Sequence, residues 1–161
     1  YFVITGPKSD TLDRTAGYYG EHIVLFAQTL GLNTCWVGLT YRKIAGTYEL
    51  NPGDKIVCYI ALGYGETQGN PHKTKTVEQL GNVGPDTPAW FRDGVEAARL
   101  APTAINQQKF HFTYVAPSTL GEKAKAIATP GRSLAGYTRT DLGIACCNFE
   151  LAAGKENFEW G

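Results

Sequence analysis

The chain has 161 residues and a mass of 17.5 kDa, and is 43% hydrophobic, 12% aromatic and 19% charged, a make-up that excludes a disordered or fibrous chain and fits one domain or two fused halves. Fifteen basic and fifteen acidic residues balance to zero net charge, with a pI near 7.0, so the positive field of a nucleic-acid or anionic-membrane binder is lacking. No apolar run reaches the roughly 18–20 residues of a membrane span and no secretory leader is readable, which makes a cytoplasmic location the expectation.

Tyr1, Phe2, Val3, Ile4 and Thr5 form an apolar β-type run that reads like the middle of a domain, and the composition holds no methionine. A native N-terminal part preceding Tyr1 is therefore expected. Gly6, Pro7, Ser9 and Asp10 follow as turn residues. Over residues 15–30 apolar side chains recur at Tyr19, Ile23, Phe26, Ala27 and Leu30, the spacing of an amphipathic helix that Gly31 closes. Residues 34–37 read as a short strand ended by Gly38. Residues 55–62, almost wholly apolar, read as a strand buried on both faces. Both strands are expected to be central in a sheet.

Residues 63–87 are rich in Gly, Pro, Asn and Thr and read as a long surface connection. Thr87 and Pro88 then start a helix, the hydroxyl capping and the proline at the first helical position. Phe91, Val95 and Ala98 line its inner face, and Ala101 and Pro102 end it. Phe110, Phe112 and Tyr114 alternate with His111, Thr113 and Val115 as a half-buried strand with a helix before and after it in sequence. Thr140 and Asp141 cap a last helix carrying Leu142, Ala145, Phe149 and Ala152, which Gly154 ends. Phe26, Gly31, Asn33 and Trp36 are echoed by Phe149, Gly154, Asn157 and Trp160, one residue looser, and a duplicated α+β unit with a cleft at its seam would produce such an echo.

Several chemistries lack their residues. The three serines, Ser9, Ser118 and Ser133, stand in no G-x-S-x-G context. His22, His72 and His111 are isolated, and Cys35, Cys58, Cys146 and Cys147 have no C-x-x-C spacing, which argues against zinc and disulfides. Gly63, Gly65 and Gly69 miss the dinucleotide spacing, and Asn70-Pro71 follows where a helix would be needed.

Three segments suit a planar, phosphorylated ligand. Residues 101–110 put small residues, the hydroxyl of Thr103 and the carboxamides of Asn106, Gln107 and Gln108 between a helix end and a strand; carboxamides donate and accept, matching a heterocycle edge such as a flavin pyrimidine rim. A polar turn is the plain alternative. Trp36, Val37, Gly38, Leu39 and Thr40 end a strand in residues that let main-chain N–H groups approach a ring, or form only a β-turn. Lys73 and Lys75 point one way if the chain is extended and supply point charges for a phosphate, unless they are merely solvated.

Together these segments resemble a known family. Helix, G-L-N-T-C-W-V-G, apolar strand and A-L-G-Y-G resemble the C-terminal half of the nitroreductase family of FMN-dependent oxidoreductases. A-R-L-A-P-T-A-I-N-Q-Q-K-F resembles its A-P-S-A-x-N-x-Q-P-W segment. The order is reversed relative to ordinary members and is best matched by the tandem, single-chain branch typified by thermophile nitroreductases. The resemblance implies an α+β, nitroreductase-like fold: a central, mostly antiparallel or mixed sheet flanked by helices, in two pseudo-repeated halves. Residues 1–68 would be the C-terminal part of the first half, 69–87 a connecting segment and 88–161 the second half.

Carried over position by position, the resemblance implies FMN contacts from Pro102, Thr103, Ala104, Asn106 and Gln108. It places Gly38, Leu39 and Thr40 beside the isoalloxazine, and Lys73 and Lys75 at the phosphate. Two departures stand out: Q-P-W is Gln108-Lys109-Phe110 here, and the N-terminal R-x-S-x-R motif is absent from these residues. The implied chemistry is ping-pong transfer of hydride from NAD(P)H through FMN to a small-molecule acceptor, a nitroaromatic or quinone, with no side chain needed as acid or base. The implied assembly is a monomer with an internal pseudo-dimer, or a homodimer. A flavin-binding protein for sensing or storage, without turnover, is the alternative.

Overall fold

Strand β1 (Phe2–Pro7) leads into helix α1 (Leu12–Thr29), followed by β2 (Asn33–Val37) and β3 (Asp54–Gly63). A short α2 (Val77–Leu80), then α3 (Ala89–Ala98), β4 (Phe110–Val115), β5 (Ala124–Pro130), α4 (Thr138–Ala153) and β6 (Phe158–Trp160) complete the order. The computed structural model describes residues 1–38, 41, 46–132 and 136–161. The α+β class is as expected, with the strands shared between two three-stranded sheets, β1-β3-β2 and β4-β5-β6. No described helix is long and apolar enough to cross a membrane.

In the first sheet both pairings are antiparallel, with Val3 opposite Tyr59 and Trp36 opposite Ile60. The apolar run of β3 buries Val57, Cys58, Tyr59 and Ile60 in succession, as a central strand does. β2, expected to be central too, is an edge strand because nothing pairs on its other side among the described residues. In the second sheet β5 runs antiparallel to β4 and parallel to β6. The strand expected between two helices therefore has a strand after it. β5 was not legible because Ala124, Ala126 and Ala128 give alternation without the bulk that marks a strand. The two sheets differ in topology, so the echo of helix, glycine and tryptophan is not reproduced strand for strand.

Helix α1 forms where its pattern predicts, but its buried face is turned away from most of that pattern and shares only Ala27 with it. Leu12, Ala16, Gly17, Gly20, Glu21 and Ala27 face inward, while Tyr19, Phe26 and Leu30 are exposed. Small residues prevail because the packing there is backbone to backbone: a β-carbon on Gly17 would overlap the Thr140 carbonyl of α4, and one on Gly143 would overlap the Arg14 carbonyl of α1. Gly20 likewise makes room for the Trp36 ring. Gly31, at φ 74°, closes α1 as expected, donating to Gln28 O at 3.0 Å while Leu32 N reaches Ala27 O at 3.0 Å.

Helix starts differ from expectation by a few residues. α3 begins at Ala89 with Pro88 as its cap, because the Thr87 hydroxyl instead accepts from Gly84 N at 2.8 Å. α4 begins at Thr138 and places Asp141 within its first turn. The segment 63–87 is not all surface: Leu80 is fully buried and Gly81 bridges to Phe112 of β4. Around it Phe91, Phe112 and Phe149 pack with Phe158 and Trp160, the Phe112 and Phe149 rings stacked at 4.6 Å. Glu150 ties three elements together, accepting from Tyr18 Oη at 2.6 Å and Trp160 Nε1 at 2.8 Å.

Glu21 is 2% exposed. Burial pushes its carboxyl from 4.5 to about 7, with the polar groups of Trp36 and Asn148 beside it pulling the other way. Neither Glu21 Oε2, Trp36 Nε1 nor Asn148 Oδ1 reaches a partner in hydrogen-bond geometry. The proton is therefore held more tightly in the fold than in the unfolded chain. Its contribution is present in full below about pH 4.5 and lost as pH rises through about 7. Glu21→Gln should flatten the fall in unfolding free energy across that window, which for the native chain reaches up to roughly 1.4 kcal/mol per pH unit; urea titrations at stepped pH measure it. Gly143→Ala should cost about 3 kcal/mol in the same assay by forcing α1 and α4 apart.

Candidate functional site: the cleft between the end of β2 and the 102–105 turn

Strand β2 runs out at Val37, and Gly38 follows with no side chain to fill the space beyond it. The Tyr137 ring occupies that space instead: a β-carbon on Gly38 would lie 2.7 Å from Tyr137 Cζ, and Tyr137 Oη donates to the Gly38 carbonyl at 2.7 Å. Tyr137 is also the residue before α4, held at φ 61°. One side chain thus joins the end of the first sheet to the start of the helix that carries the second.

The facing wall is the chain between α3 and β4. Ile105, Asn106 and Gln108 adopt φ 49°, 53° and 45°, all left-handed without being glycine. Each such residue costs of order 1–3 kcal/mol and persists only where its surroundings hold it. For β-branched Ile105, 79% exposed, packing does not supply that hold. Hydrogen bonds do: Asp141 of α4, 2% exposed, accepts from Ala104 N at 3.0 Å and from Gln107 Nε2 at 2.6 Å.

Between these walls lies a cleft of about 340 Å³, lined by Trp36, Val37 and Gly38 on one side and Pro102, Thr103, Ala104 and Ile105 on the other, with Tyr137, Thr140 and Asp141 at the α4 end. Cys35, Cys58 and Ile144 complete the described lining. No lysine or arginine is among them, and Asp141 is the one formally charged side chain. Burial raises its carboxyl above the ordinary range, opposed by the Ala104 and Gln107 bonds. Burial likewise pushes the Cys58 thiol up to about 12, so it stays protonated and unreactive at neutral pH.

Of the residues singled out from sequence, Gly38, Pro102, Thr103 and Ala104 meet at this cleft, although Gly38 and Pro102 are distant in the chain. Asn106, Gln108, Lys73 and Lys75 meet elsewhere, in a knot behind the turn. The Gln108 carboxamide, 4% exposed, donates to Lys73 O and Asn106 Oδ1, both at 2.8 Å, and accepts from Lys75 N at 2.8 Å. Asn106 Nδ2 donates to Lys73 O at 2.9 Å, and Lys75 Nζ to Gln108 O at 2.6 Å. Burial, with Lys109 nearby, holds the Lys75 ammonium below the usual lysine range. Lys73 is exposed. Leu39 and Thr40 lie outside the described residues.

Sequence reading missed Tyr137, Ile105 and the second role of Asp141. Asp141 reads as a helix cap from its neighbours alone, and only contact with a segment 37 residues away gives it another task. The left-handed turn carried no signal because its residues are not glycines.

Two comparisons bear on this geometry. Residues 1–153 match the family described as "Putative TM nitroreductase". The chain belongs to this nitroreductase family. Its fold is similar to the crystal structure of a putative nitroreductase from Thermotoga maritima, with a TM-score of 0.63 and 23% identity over 94% of this chain. At that identity the likeness speaks to fold. The chain spans 66% of the length of that Thermotoga structure. Among proteins with curated descriptions, none matches. Both walls of the cleft lie inside the span matched by the nitroreductase family.

Gln108→Ala should leave Lys75 N without its side-chain acceptor and Lys73 O with Asn106 Nδ2 alone, and destabilise the protein by about 2–3 kcal/mol. Hydrogen exchange should show the Lys75 amide losing protection ahead of the second sheet.

Proposed function

We propose that the cleft takes the ring of FMN and that the protein is an oxidoreductase, moving hydride from NAD(P)H to a small electron-poor acceptor such as a nitroaromatic or a quinone. One observation carries this reading: two segments far apart in sequence, the Gly38 end of β2 and the 102–105 turn, face each other across a mostly apolar space with no cationic side chain in its described lining. Its volume, about 340 Å³, falls within the roughly 300–1,000 Å³ of small-molecule sites. A planar uncharged ring suits it and a phosphate does not.

The residues present fit such a group in two parts. Pro102, Thr103 and Ala104 would shape one side, Gly38 would let main chain approach the ring from the other, and Trp36 and Ile105 would keep water out. Lys75, with Lys109 near it, and Lys73, whose backbone carbonyl is tied to the same turn, would supply the cations that neutralise the phosphate. When bound, FMN supplies a ring that takes up hydride and gives it back. The chain's own task is binding, orientation and exclusion of solvent, and no side chain is assigned as acid or base. The organisation into residues 1–68 and 88–161 as two halves joined by 69–87 accords with a cleft whose walls come from either side of that join.

Purified protein titrated with FMN should turn yellow with saturable quenching of flavin fluorescence, and NADPH should bleach it. Yellow protein that NADPH leaves unchanged would instead be a flavin carrier without turnover, and no binding would end the reading. Lys73→Ala should weaken FMN by about tenfold while leaving riboflavin, which lacks the phosphate, unaffected.

A further inference from the structure

We propose that Asp141 is the positioning residue of the cleft: from the first turn of α4 its carboxylate holds the 103–108 turn in the left-handed conformation that presents Thr103, Ala104 and Ile105 to a ligand. The ligand half of this rests on the flavin reading above; the turn half does not.

Three non-glycine residues between positions 105 and 108 have positive φ. A local sequence left to itself relaxes out of that conformation, so something outside the turn must hold it. The hydrophobic core does not, since Ile105 is 79% exposed and Asn106 is exposed as well. The hold comes from two sides. Behind the turn, Gln108 is tied to Lys73 and Lys75. On the cleft side the tie is Asp141, with Oδ1 on Ala104 N at 3.0 Å and Oδ2 on Gln107 Nε2 at 2.6 Å. These two donors bracket Ile105 and Asn106, so the carboxylate spans the left-handed pair as a clamp spans a bend.

Asp141 is suited to the task by where it sits. The N-terminus of α4 favours a negative charge in its first turn. Farther along, Gly143 locks that helix against Arg14 of α1, so the clamp is mounted on a rigid element. Tyr137, four residues before Asp141, reaches Gly38 on the other wall. The same helix end therefore sets both sides of the cleft, Gly38 through Tyr137 and the turn through Asp141. A carboxylate accepts from both donors at once, whereas with an amide at 141 Gln107 would have to turn its carbonyl inward and give up its bond to Gly136 O.

The test compares the whole chain with Asp141→Asn and with Gln107→Ala, which removes one of the two bonds, together with the Gln107 bond to Gly136 O, and keeps the carboxylate. Three readouts are taken: hydrogen exchange at the Ala104 amide, the thermal midpoint without ligand, and the Kd for FMN by fluorescence quenching. Asp141→Asn should speed exchange at Ala104 by tenfold or more and raise the Kd by about tenfold, with Gln107→Ala intermediate in both. A fall in thermal midpoint with Ala104 exchange and Kd unchanged would make Asp141 a helix residue only, and overturn the proposal. So would variants indistinguishable from the native chain. If Asp141→Asn does not fold, Gln107→Ala decides by the same criteria. Should the native chain fail to bind FMN, the flavin reading falls while Ala104 exchange still decides whether Asp141 holds the turn.

Discussion

The carbonyl oxygens of Thr140 and Arg14 occupy the space that β-carbons on Gly17 and Gly143 would need. At that point α1 and α4 touch backbone to backbone, and everything else in the molecule is arranged around the contact. α1 carries the first sheet on its inward face, through Gly20 against Trp36 and through Leu12 and Ala16 against Cys58. α4 carries the second through Phe149 against Phe112 and Phe158. Among the described residues the two small sheets share no strand pairing, and the helix crossing between them is the join. Bulkier side chains would hold the helices farther apart, and the walls of the cleft with them.

The cleft is a direct product of this crossing. Bringing the start of α4 against α1 also brings it over the end of β2, where Tyr137 caps Gly38, and beside the turn that enters β4, where Asp141 takes two donors. Several residues in and around this junction depart from their usual setting. Tyr137, Ile105, Asn106 and Gln108 are left-handed, Asp141 is a buried carboxylate, and Glu21 is a buried acid without full hydrogen bonding. Local preference and global fold conflict around this cleft, where contacts from distant parts of the chain hold the strained residues in place. Elsewhere the aromatic core of Phe91, Phe112 and Phe149 is conventional and satisfied.

The separation of charges follows the same geography. The cleft is free of cations in its described lining, while Lys75 reaches Gln108 O with Lys109 near it. The segment that forms the apolar wall thus also meets the Lys75 ammonium through its own backbone. The carboxamides of Asn106 and Gln108 bind the two regions by hydrogen-bonding the backbone between the lysines, rather than by lining the cleft.

What the sequence determined by itself was local. Period-3.6 patterns located α1, α3 and α4, alternation located β4 and an unbroken apolar run β3, Gly31 and Gly154 marked the ends of two helices, and the combination around Trp36 and residues 101–110 pointed to the nitroreductase family. Those signals survive in sequence because each depends on residues within about one helical turn or one strand. The buried face of α1 was misread, since Gly17 and Gly20 carry no apolar bulk and yet take the tightest contacts. Strand β5 was missed because alanines alternate too quietly. The clamp of Asp141 on Ala104 and the seal of Tyr137 on Gly38 join positions 37 and 99 residues apart. Only tertiary structure decided those, because a left-handed turn built without glycine is stable only when another part of the chain holds it there.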